Sequence, residues 1–185
     1  KRSAKFVVRN KDGSKRVQSV EQYSAILGSV PPKPNMRRMY ATRSSVHASA
    51  SAATFVKAMN LAGREILDLI RDVDERLYTK HAQAVSTLVP EKWRWSDLYT
   101  SSICNANAAA PVHLDTGNVK YSLNSIICKR KNSRGGYLYV PDYDAVFEQP
   151  DNSLSVYPAW SNTHGVTPIE PTHIGGYRNT LIWYA

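Results

Sequence analysis

Apolar residues recur at intervals of three, four and seven positions between residues 51 and 78. They are Phe55, Met59, Ala62, Ile66, Leu69, Ile70, Val73 and Leu77. Charged residues, among them Arg64, Asp68 and Arg71, occupy positions between them. The pattern predicts one long amphipathic helix that packs by one side on a flat surface. A second, shorter helix is predicted over residues 80–88, because Pro90 cannot continue it.

The pattern changes after residue 98, where short apolar runs alternate with Gly, Pro, Asn and Asp. Runs such as KYSLNSIICK, GYLYVP, SLSVYPAW and NTLIWYA are rich in Tyr, Val, Ile and Thr. Short strands at a spacing of roughly 8–12 residues indicate a sandwich or barrel. Because the helices come first and the strands follow, we expect an α+β fold whose helices cover one face of the sheet.

The first 50 residues differ in charge from the rest. They contain 11 Lys and Arg against 2 acidic residues, whereas residues 51–185 contain 13 of each, so the whole net charge of +9 lies in this segment. Asp12-Gly13 between two β-branched runs predicts a hairpin turn. We therefore expect a basic arm or strap over 1–50 and a single domain over 51–185, with helices in 51–90 and strands in 98–185.

Hydropathy and cysteine content indicate the cellular compartment in which the protein is expected. No stretch approaches the roughly 18 consecutive apolar residues of a membrane span, and no signal peptide is visible at the basic N-terminus. Cys104 and Cys128 lie in apolar runs, which favours buried free thiols in a reducing compartment over a disulfide. We expect an intracellular location, in a nucleus or in the cytoplasm of a bacterial or phage-infected cell, and no contact with a membrane. The sequence does not indicate the oligomeric state.

The first candidate site residues are in the stretch PVHLDTGN, where His113 and Asp115 are two residues apart. Alone, such a pair is more often two polar residues of a turn than half of a metal site. His164 follows about 50 residues later, in THGVTP. Two imidazoles and one carboxylate form the facial triad that binds iron(II) and leaves coordination positions open.

Arg178 is the only Lys or Arg between Arg134 and the end of the chain, and it begins the aromatic run RNTLIWYA. A cation buried in such a run is costly unless it is paired, so a bound carboxylate would explain it. The alternative is a surface residue at the start of a strand.

Other polar residues have simpler explanations. His47 and His81 are expected on the surface, since no carboxylate stands near either of them in a strand. Asp142 and Asp144 flank Tyr143 after a proline, which predicts a β-turn rather than an acid–base pair.

Two basic clusters are candidates for contact with nucleic acid. Arg37, Arg38 and Arg43 bracket Met39 and Tyr40, so that basic and aromatic groups alternate. The second cluster is a hairpin loop in KRKNSRGG, with Lys129, Arg130, Lys131 and Arg134. Each cluster also fits a simpler alternative, a strap over the domain for the first and a solvated hairpin tip for the second.

From about Ala82 to Ala185 the chain resembles the iron(II)/2-oxoglutarate dioxygenases of the TET/JBP group, which oxidise the methyl group of 5-methylpyrimidines in nucleic acid. The matching stretches are NANAAAPVHLDTGN, RGGYLYVPDYDAVFEQPDNSLSVYPAWSNTHGVTPI and YRNTLIWYA. The resemblance implies a double-stranded β-helix (jelly-roll) core. It also implies roles for particular residues. His113, Asp115 and His164 would ligate iron(II), Arg178 would bind the far carboxylate of 2-oxoglutarate, and Asn105 or Tyr121 would assist that co-substrate.

We therefore expect a dioxygenase that uses iron(II), 2-oxoglutarate and molecular oxygen to hydroxylate the 5-methyl group of a pyrimidine, 5-methylcytosine or thymine, in DNA. The DNA would be single-stranded, or double-stranded with the base flipped out. Aromatic residues available to stack on the base are Tyr137, Tyr139, Tyr143, Trp95 and Trp160. Two alternatives remain: a dioxygenase of the same mechanism acting on an amino acid or other small molecule, and a non-catalytic nucleic-acid-binding β-sandwich.

Overall fold

A computed structural model describes residues 2–30 and 42–185. The predicted contacts Arg37 and Arg38 lie outside the described residues. The helices are α1 (Ser45–Ala48), α2 (Ala53–Val73) and α3 (Glu75–Leu88). The strands are β1 (Arg2–Arg9), β2 (Lys15–Val30), β3 (Thr42–Arg43), β4 (Ser101–Ala106), β5 (Ala110–His113), β6 (Asn124–Lys131), β7 (Ser133–Gly135), β8 (Leu138–Val140), β9 (Ala145–Phe147), β10 (Ser153–Tyr157), β11 (His164–Val166), β12 (Ile169–Pro171) and β13 (Tyr177–Tyr184).

The strands form two main antiparallel sheets. The larger has the order β1-β2-β4-β13-β6-β10, with β3 paired to β2, and the smaller has the order β5-β11-β8-β9. A two-stranded sheet of β12 and β7 accompanies them. Side chains of both main sheets line one cavity, which therefore lies between them. The predicted jelly-roll fold is confirmed.

The two long helices cover the outer face of the larger sheet, as predicted. The core between them includes Met59 and Ile66 of α2, Val85 of α3, and Leu27 and Trp183 of the sheet. Trp183 is fully buried, and its indole N–H donates to the carbonyl of Met59 at 3.0 Å. This contact joins α2 to the last strand, which also reaches the cavity on the other face of the sheet.

The prediction of one helix through residue 78 is wrong, because Asp74 ends α2 and begins α3. Its carboxylate accepts hydrogen bonds from the backbone N–H groups of Arg76 and Leu77 at 3.0 and 3.1 Å, which is N-cap geometry. The buried face of the helix also differs from the predicted one. Met59, Gly63, Ile66, Leu67 and Ile70 are buried, whereas Phe55, Leu69, Val73 and Leu77 are exposed.

Residues 2–30 form a hairpin, and its second strand belongs to the larger sheet. The predicted turn is present: Gly13 has a φ of +85°, and its N–H donates to the carbonyl of Asn10 at 3.1 Å. β2 pairs with β4 from Tyr23 opposite Ala106 to Gly28 opposite Ser101. The boundary at residue 50 stays a prediction, but this strand is part of the sheet rather than an arm beside it.

Cys104 and Cys128 are free thiols, as predicted, and Cys128 is fully buried.

The prediction that His81 lies on the surface is wrong: it is 0% exposed, and its Nδ1 accepts the backbone N–H of Leu123 at 3.1 Å. Burial lowers the pKa of His81 to about 4, so the ring is neutral. None of the helices in the described ranges is long and apolar enough to cross a membrane.

The close approach of α2 to the sheet depends on Gly63, where a Cβ atom would lie 2.8 Å from the Trp183 indole nitrogen. Alanine favours an isolated helix over glycine by about 1 kcal/mol. We nevertheless expect Gly63→Ala to lower the free energy of unfolding by about 1–3 kcal/mol, because the methyl group has no room. Urea unfolding measures this change.

Gly117→Ala is the matched control, since no atom lies within 4 Å of the added Cβ. Its free energy of unfolding is expected to stay within about 0.5 kcal/mol of the wild type. A Gly63→Ala variant as stable as the wild type would refute this account of the helix–sheet contact.

Candidate metal centre

The pairing of β5 with β11 brings the two predicted histidine ligands together. His113 ends β5 and lies directly opposite His164, which begins β11. Their ring centroids are 4.4 Å apart. Asp115 follows β5 by two residues, and its carboxylate lies 3.4 Å from Nε2 of His113 and 4.0 Å from Nε2 of His164.

These three side chains are the one group in residues 2–30 and 42–185 whose donor atoms could hold a metal ion. The donor atoms lie within 4.8 Å of one another, so small side-chain rotations would bring them onto one ion. His164 is buried while His113 is exposed, which leaves one side of the site open to incoming molecules.

Both histidines are oriented by the same local hydrogen bond. Nδ1 of His113 lies 2.8 Å from the carbonyl of Pro111, and Nδ1 of His164 lies 2.9 Å from the carbonyl of Asn162. A carbonyl oxygen only accepts, so in the neutral ring each Nδ1 carries the proton and donates it. Each Nε2 then presents its lone pair towards Asp115, which is the tautomer that a metal ligand requires.

The carboxylate of Asp115 is held by two amide side chains. Its Oδ2 accepts hydrogen bonds from Asn124 at 3.1 Å and from Asn118 at 3.4 Å. Asn118 also donates to Oδ1 of Asn124 at 2.8 Å, so the three groups form a closed network. Such partners of a metal ligand fix its orientation. Asn124 is buried at the start of β6, and nothing in its sequence spacing pointed to this role.

The metal ligands lie in a cavity of about 520 Å³ between the two main sheets. Its polar lining includes Ser24, Asn105, Asn124, Gln149, Tyr157, Arg178 and Thr180. Its apolar lining includes Ile103, Ile126, Leu138 and Val166. A mainly apolar wall with a few placed polar groups is typical of a small-molecule site.

Arg178 lies in this cavity and is only 2% exposed, so it is not the surface residue of the alternative prediction. One Nη donates to Oε1 of Gln149, whereas the buried Nε has no hydrogen-bond partner. No acidic side chain in the described part of the chain forms an ion pair with it. Burial lowers the pKa of Arg178, yet guanidinium stays protonated in proteins. The cavity therefore contains a buried cation without a counter-ion.

Gly136 and Cys128 are the neighbours that accommodate the side chain of Arg178 in the cavity. Gly136 has a φ of +68°, and a Cβ atom on it would lie 2.7 Å from Nε of Arg178, so only glycine leaves room for the side chain. Burial raises the pKa of the Cys128 thiol, which interacts with the guanidinium. A neutral thiol supplies no negative charge. An anion entering the cavity would supply the missing charge and the missing acceptor.

The structure places the two predicted co-substrate residues differently. Asn105 lines the cavity, and its Oδ1 accepts a hydrogen bond from Ser24 at 2.5 Å. Tyr121 instead is 57% exposed and packs against Trp160 on the outside. The structure therefore does not bring Tyr121 to the co-substrate position.

Tyr157 is a cavity residue that the sequence reasoning missed. Its ring contacts His164 edge-on, with centroids 5.2 Å apart. Burial, and secondarily the charge of Asp115, raise the pKa of Tyr157, so its hydroxyl stays protonated at neutral pH. It can therefore donate a hydrogen bond into the cavity. In the sequence it is one of eleven tyrosines, so nothing singled it out.

Two of the four cations of the predicted basic hairpin loop are paired with acidic neighbours. Lys129 lies 3.2 Å from the carboxylate of Asp151, and Nε of Arg134 donates to Glu170 at 2.6 Å. A polyanion would compete with these ion pairs for the same cations. The proposed contact of this loop with DNA stays a prediction.

The remaining predicted basic residues are divided between structural contacts and solvent. Arg130 donates to the carbonyl of Ser133 at 2.7 Å, and Arg43 donates to Oγ of Ser29 at 2.9 Å. Lys131 is exposed. The stretch around Tyr143 is a 3₁₀ turn over Pro141–Tyr143, as the turn prediction required.

Comparison with known proteins supports the fold. No protein-family model matches the chain, and no curated protein matches it in sequence. The structure of NgTET1 in complex with 5mC DNA matches with a TM-score of 0.64 over 88% of this chain, at 14% sequence identity. This chain spans 60% of the length of that NgTET1 chain. At this identity the match establishes a shared double-stranded β-helix fold.

Two further matches are weaker. A 2OG-Fe(II) oxygenase family oxidoreductase from Burkholderia pseudomallei has a TM-score of 0.48 at 14% identity, over 99% of this chain and 72% of its own. An RmlC-like cupin protein from Desulfovibrio desulfuricans has a TM-score of 0.30 at 18% identity, over 45% of this chain and 70% of its own.

The network around Asp115 makes a prediction about metal affinity. Asn124→Ala removes one of the two hydrogen bonds to Oδ2 and frees the carboxylate to rotate. We expect it to weaken iron(II) binding by about 10- to 100-fold, measured by calorimetry without oxygen. Asn10→Ala, which removes an amide at the distant hairpin turn, should leave the affinity unchanged. Equal affinities of the Asn124→Ala variant and the wild type would contradict the role assigned to the network.

Proposed function

We propose that the chain is an iron(II)/2-oxoglutarate-dependent dioxygenase that hydroxylates the 5-methyl group of a pyrimidine, 5-methylcytosine or thymine, in DNA. One observation carries the proposal: a two-histidine, one-carboxylate group and a buried, unpaired arginine line the same cavity of a double-stranded β-helix. The first group suits a divalent iron with open positions. The second suits the carboxylate of an organic anion.

The donor set fits iron(II) in chemistry and in orientation. His113, Asp115 and His164 would hold the ion through two imidazole nitrogens and a carboxylate oxygen. Both imidazoles already present Nε2, and Asn118 and Asn124 already hold the carboxylate. When bound with 2-oxoglutarate, the iron supplies the oxidising chemistry that turns R–CH3, O2 and 2-oxoglutarate into R–CH2OH, succinate and CO2.

Arg178 would bind the carboxylate of 2-oxoglutarate that is remote from the metal. Its planar guanidinium can form two parallel hydrogen bonds to a carboxylate, which an ammonium group cannot do. Binding would also pair the charge that the fold leaves unpaired, so the free energy of desolvating the cation is partly recovered only when the ligand is present. The apolar walls of Ile103, Ile126 and Leu138 would exclude water from the reacting groups.

Several observations support DNA as the substrate over a small molecule. The resemblance to the TET/JBP group covers the ligand-bearing stretches, and the NgTET1 structure that shares the fold contains 5mC DNA. The positive charge of the first 50 residues suits a polyanion. The exposed side of the metal site at His113 would admit an extruded or unpaired base.

The direct test is mass spectrometry of nucleosides from DNA incubated with the protein, iron(II), 2-oxoglutarate and ascorbate. We expect a hydroxymethyl pyrimidine nucleoside and one succinate for each product. Asp115→Ala should abolish both, whereas Asp68→Ala, which removes a surface carboxylate paired with Arg71, should retain full activity.

Each alternative gives its own result in this experiment. Succinate formed with an amino acid or small molecule, and none with DNA, would replace the proposed substrate. DNA binding that weakens steeply with salt, with no iron binding, would indicate a non-catalytic binding domain. Full activity of the Asp115→Ala variant would refute the metal centre itself.

A further inference from the structure

We infer that Lys120, Tyr121 and Trp160, here called the aromatic platform, bind a nucleotide of an unpaired nucleic-acid strand beside the metal centre. The inference rests on the proposed function and assigns a second contact for the same substrate. The target base would enter the cavity, and a neighbouring nucleotide of the strand would lie on the platform.

The platform is a compact arrangement of two rings and a cation. The Tyr121 and Trp160 rings are 5.1 Å apart and meet edge to face at 69°. Nζ of Lys120 lies 5.2 Å from the Tyr121 ring centre and 6.0 Å from the Trp160 ring centre. Aromatic faces beside an ammonium group are the combination that single-strand-binding proteins use for bases and phosphates.

Tyr121 is the third residue of a turn in which the N–H of Ser122 donates to the carbonyl of Val119 at 3.0 Å. Its φ of +69° lies in the left-handed region, which is unfavourable for a bulky side chain. The ring is nevertheless 57% exposed, so the strained backbone does not serve to bury it. The turn therefore presents the ring at the surface, where a base can stack on it.

Trp160 provides an independent observation at the same place. Its indole nitrogen is buried and has no hydrogen-bond partner within the described part of the chain. An unmet indole donor is unfavourable in a folded protein, and a bound ligand with an acceptor would satisfy it.

A groove of about 500 Å³ continues from the platform along α3. It is lined by Lys80, Gln83, Ala84, Thr87, Leu88, Lys120 and Tyr121, none of which is acidic. Neither lysine forms an ion pair with a carboxylate among the described residues. Apolar surface between two free ammonium groups is complementary to a stacked nucleotide with its phosphate, and this charge complementarity identifies the occupant.

The platform is connected to the metal ligands through the chain. Tyr121 lies in the segment that follows Asp115, and Trp160 lies in the segment that leads to His164. The backbone N–H of Asp115 donates to the carbonyl of Ala159 at 3.3 Å, so the two segments are joined beside the metal site. A strand held on the platform is therefore positioned relative to the same backbone that carries the ligands.

The test is binding of a fluorescently labelled, unmodified single-stranded oligonucleotide, measured by anisotropy without iron(II) or 2-oxoglutarate. Tyr121→Gly keeps the left-handed backbone at lower cost but removes the ring. We expect it to weaken binding about tenfold or more, since stacking of one base contributes about 1–3 kcal/mol. Tyr121→Phe should bind like the wild type.

The charge of Lys120 is tested through the salt dependence. Lys120→Ala should reduce the slope of log affinity against log salt by about 0.7, the value for one phosphate contact on a single strand. Lys92→Ala is the matched control, because Lys92 also lies over an indole ring, at 5.7 Å from the centre of Trp93. It should change neither affinity nor slope. Thermal unfolding shows whether each variant is folded.

The results separate the inference from the proposed function. Equal affinity of the Tyr121→Gly variant and the wild type, or no wild-type binding at low salt, overturns the aromatic platform, even if the iron-loaded protein oxidises DNA. Binding that depends on Tyr121 without oxidation of any methyl group supports the platform and contradicts the proposed activity.

Discussion

The antiparallel pairing of β5 with β11 is the contact on which the candidate metal centre depends. It places His113 opposite His164, although about fifty residues of chain separate them. Outside the strands, the N–H of Asp115 donates to the carbonyl of Ala159, which adds a second contact between the two segments. The three ligands and the aromatic platform are therefore organised by the same short piece of backbone, and a shift of register there would move all of them.

A second constraint is the charge of Arg178. The structure buries a cation beside the neutral Gln149 and a neutral thiol, and no carboxylate in residues 2–30 or 42–185 forms an ion pair with it. Burying an unpaired charge is among the most costly features that a fold can contain. Gly136 makes the space for it, so the local sequence accommodates the arginine rather than excluding it. The buried charge of Arg178 is unfavourable in the empty cavity and becomes paired when an anion binds. Such a site is well suited to selecting an anionic co-substrate.

The candidate ligands that the structure brings together stand out in the sequence because few residues of the required chemistry are available. The second half of the chain offers a single arginine beyond Arg134, and a histidine–carboxylate pair followed by a further histidine suffices to suggest the triad. The strand-rich half was also recognisable. Short apolar runs separated by turn residues are the local sequence pattern of β-strands joined by turns. These features depend on local pattern.

The features that could not be predicted depend on tertiary partners. Asn124 and Tyr157 became site residues only because β6 and β10 bring them beside Asp115 and His164. Asp74 is one of several charged residues in the predicted helix, so its residue type did not mark an end. Only its capping hydrogen bonds show that α2 ends there. Tyr121 was placed at the co-substrate by resemblance, whereas its ring is 57% exposed and does not line the cavity of the metal site.

The central claim is that the metal triad and Arg178 form one site for one organic anion. Calorimetric titration of 2-oxoglutarate without oxygen, with and without iron(II), tests it most directly. We predict that iron(II) strengthens binding, and that Arg178→Met weakens it at least about tenfold, or about 1.4 kcal/mol, while Arg134→Met on the surface does not. Affinity that is the same with and without iron(II), or that is unchanged by Arg178→Met, would contradict the claim.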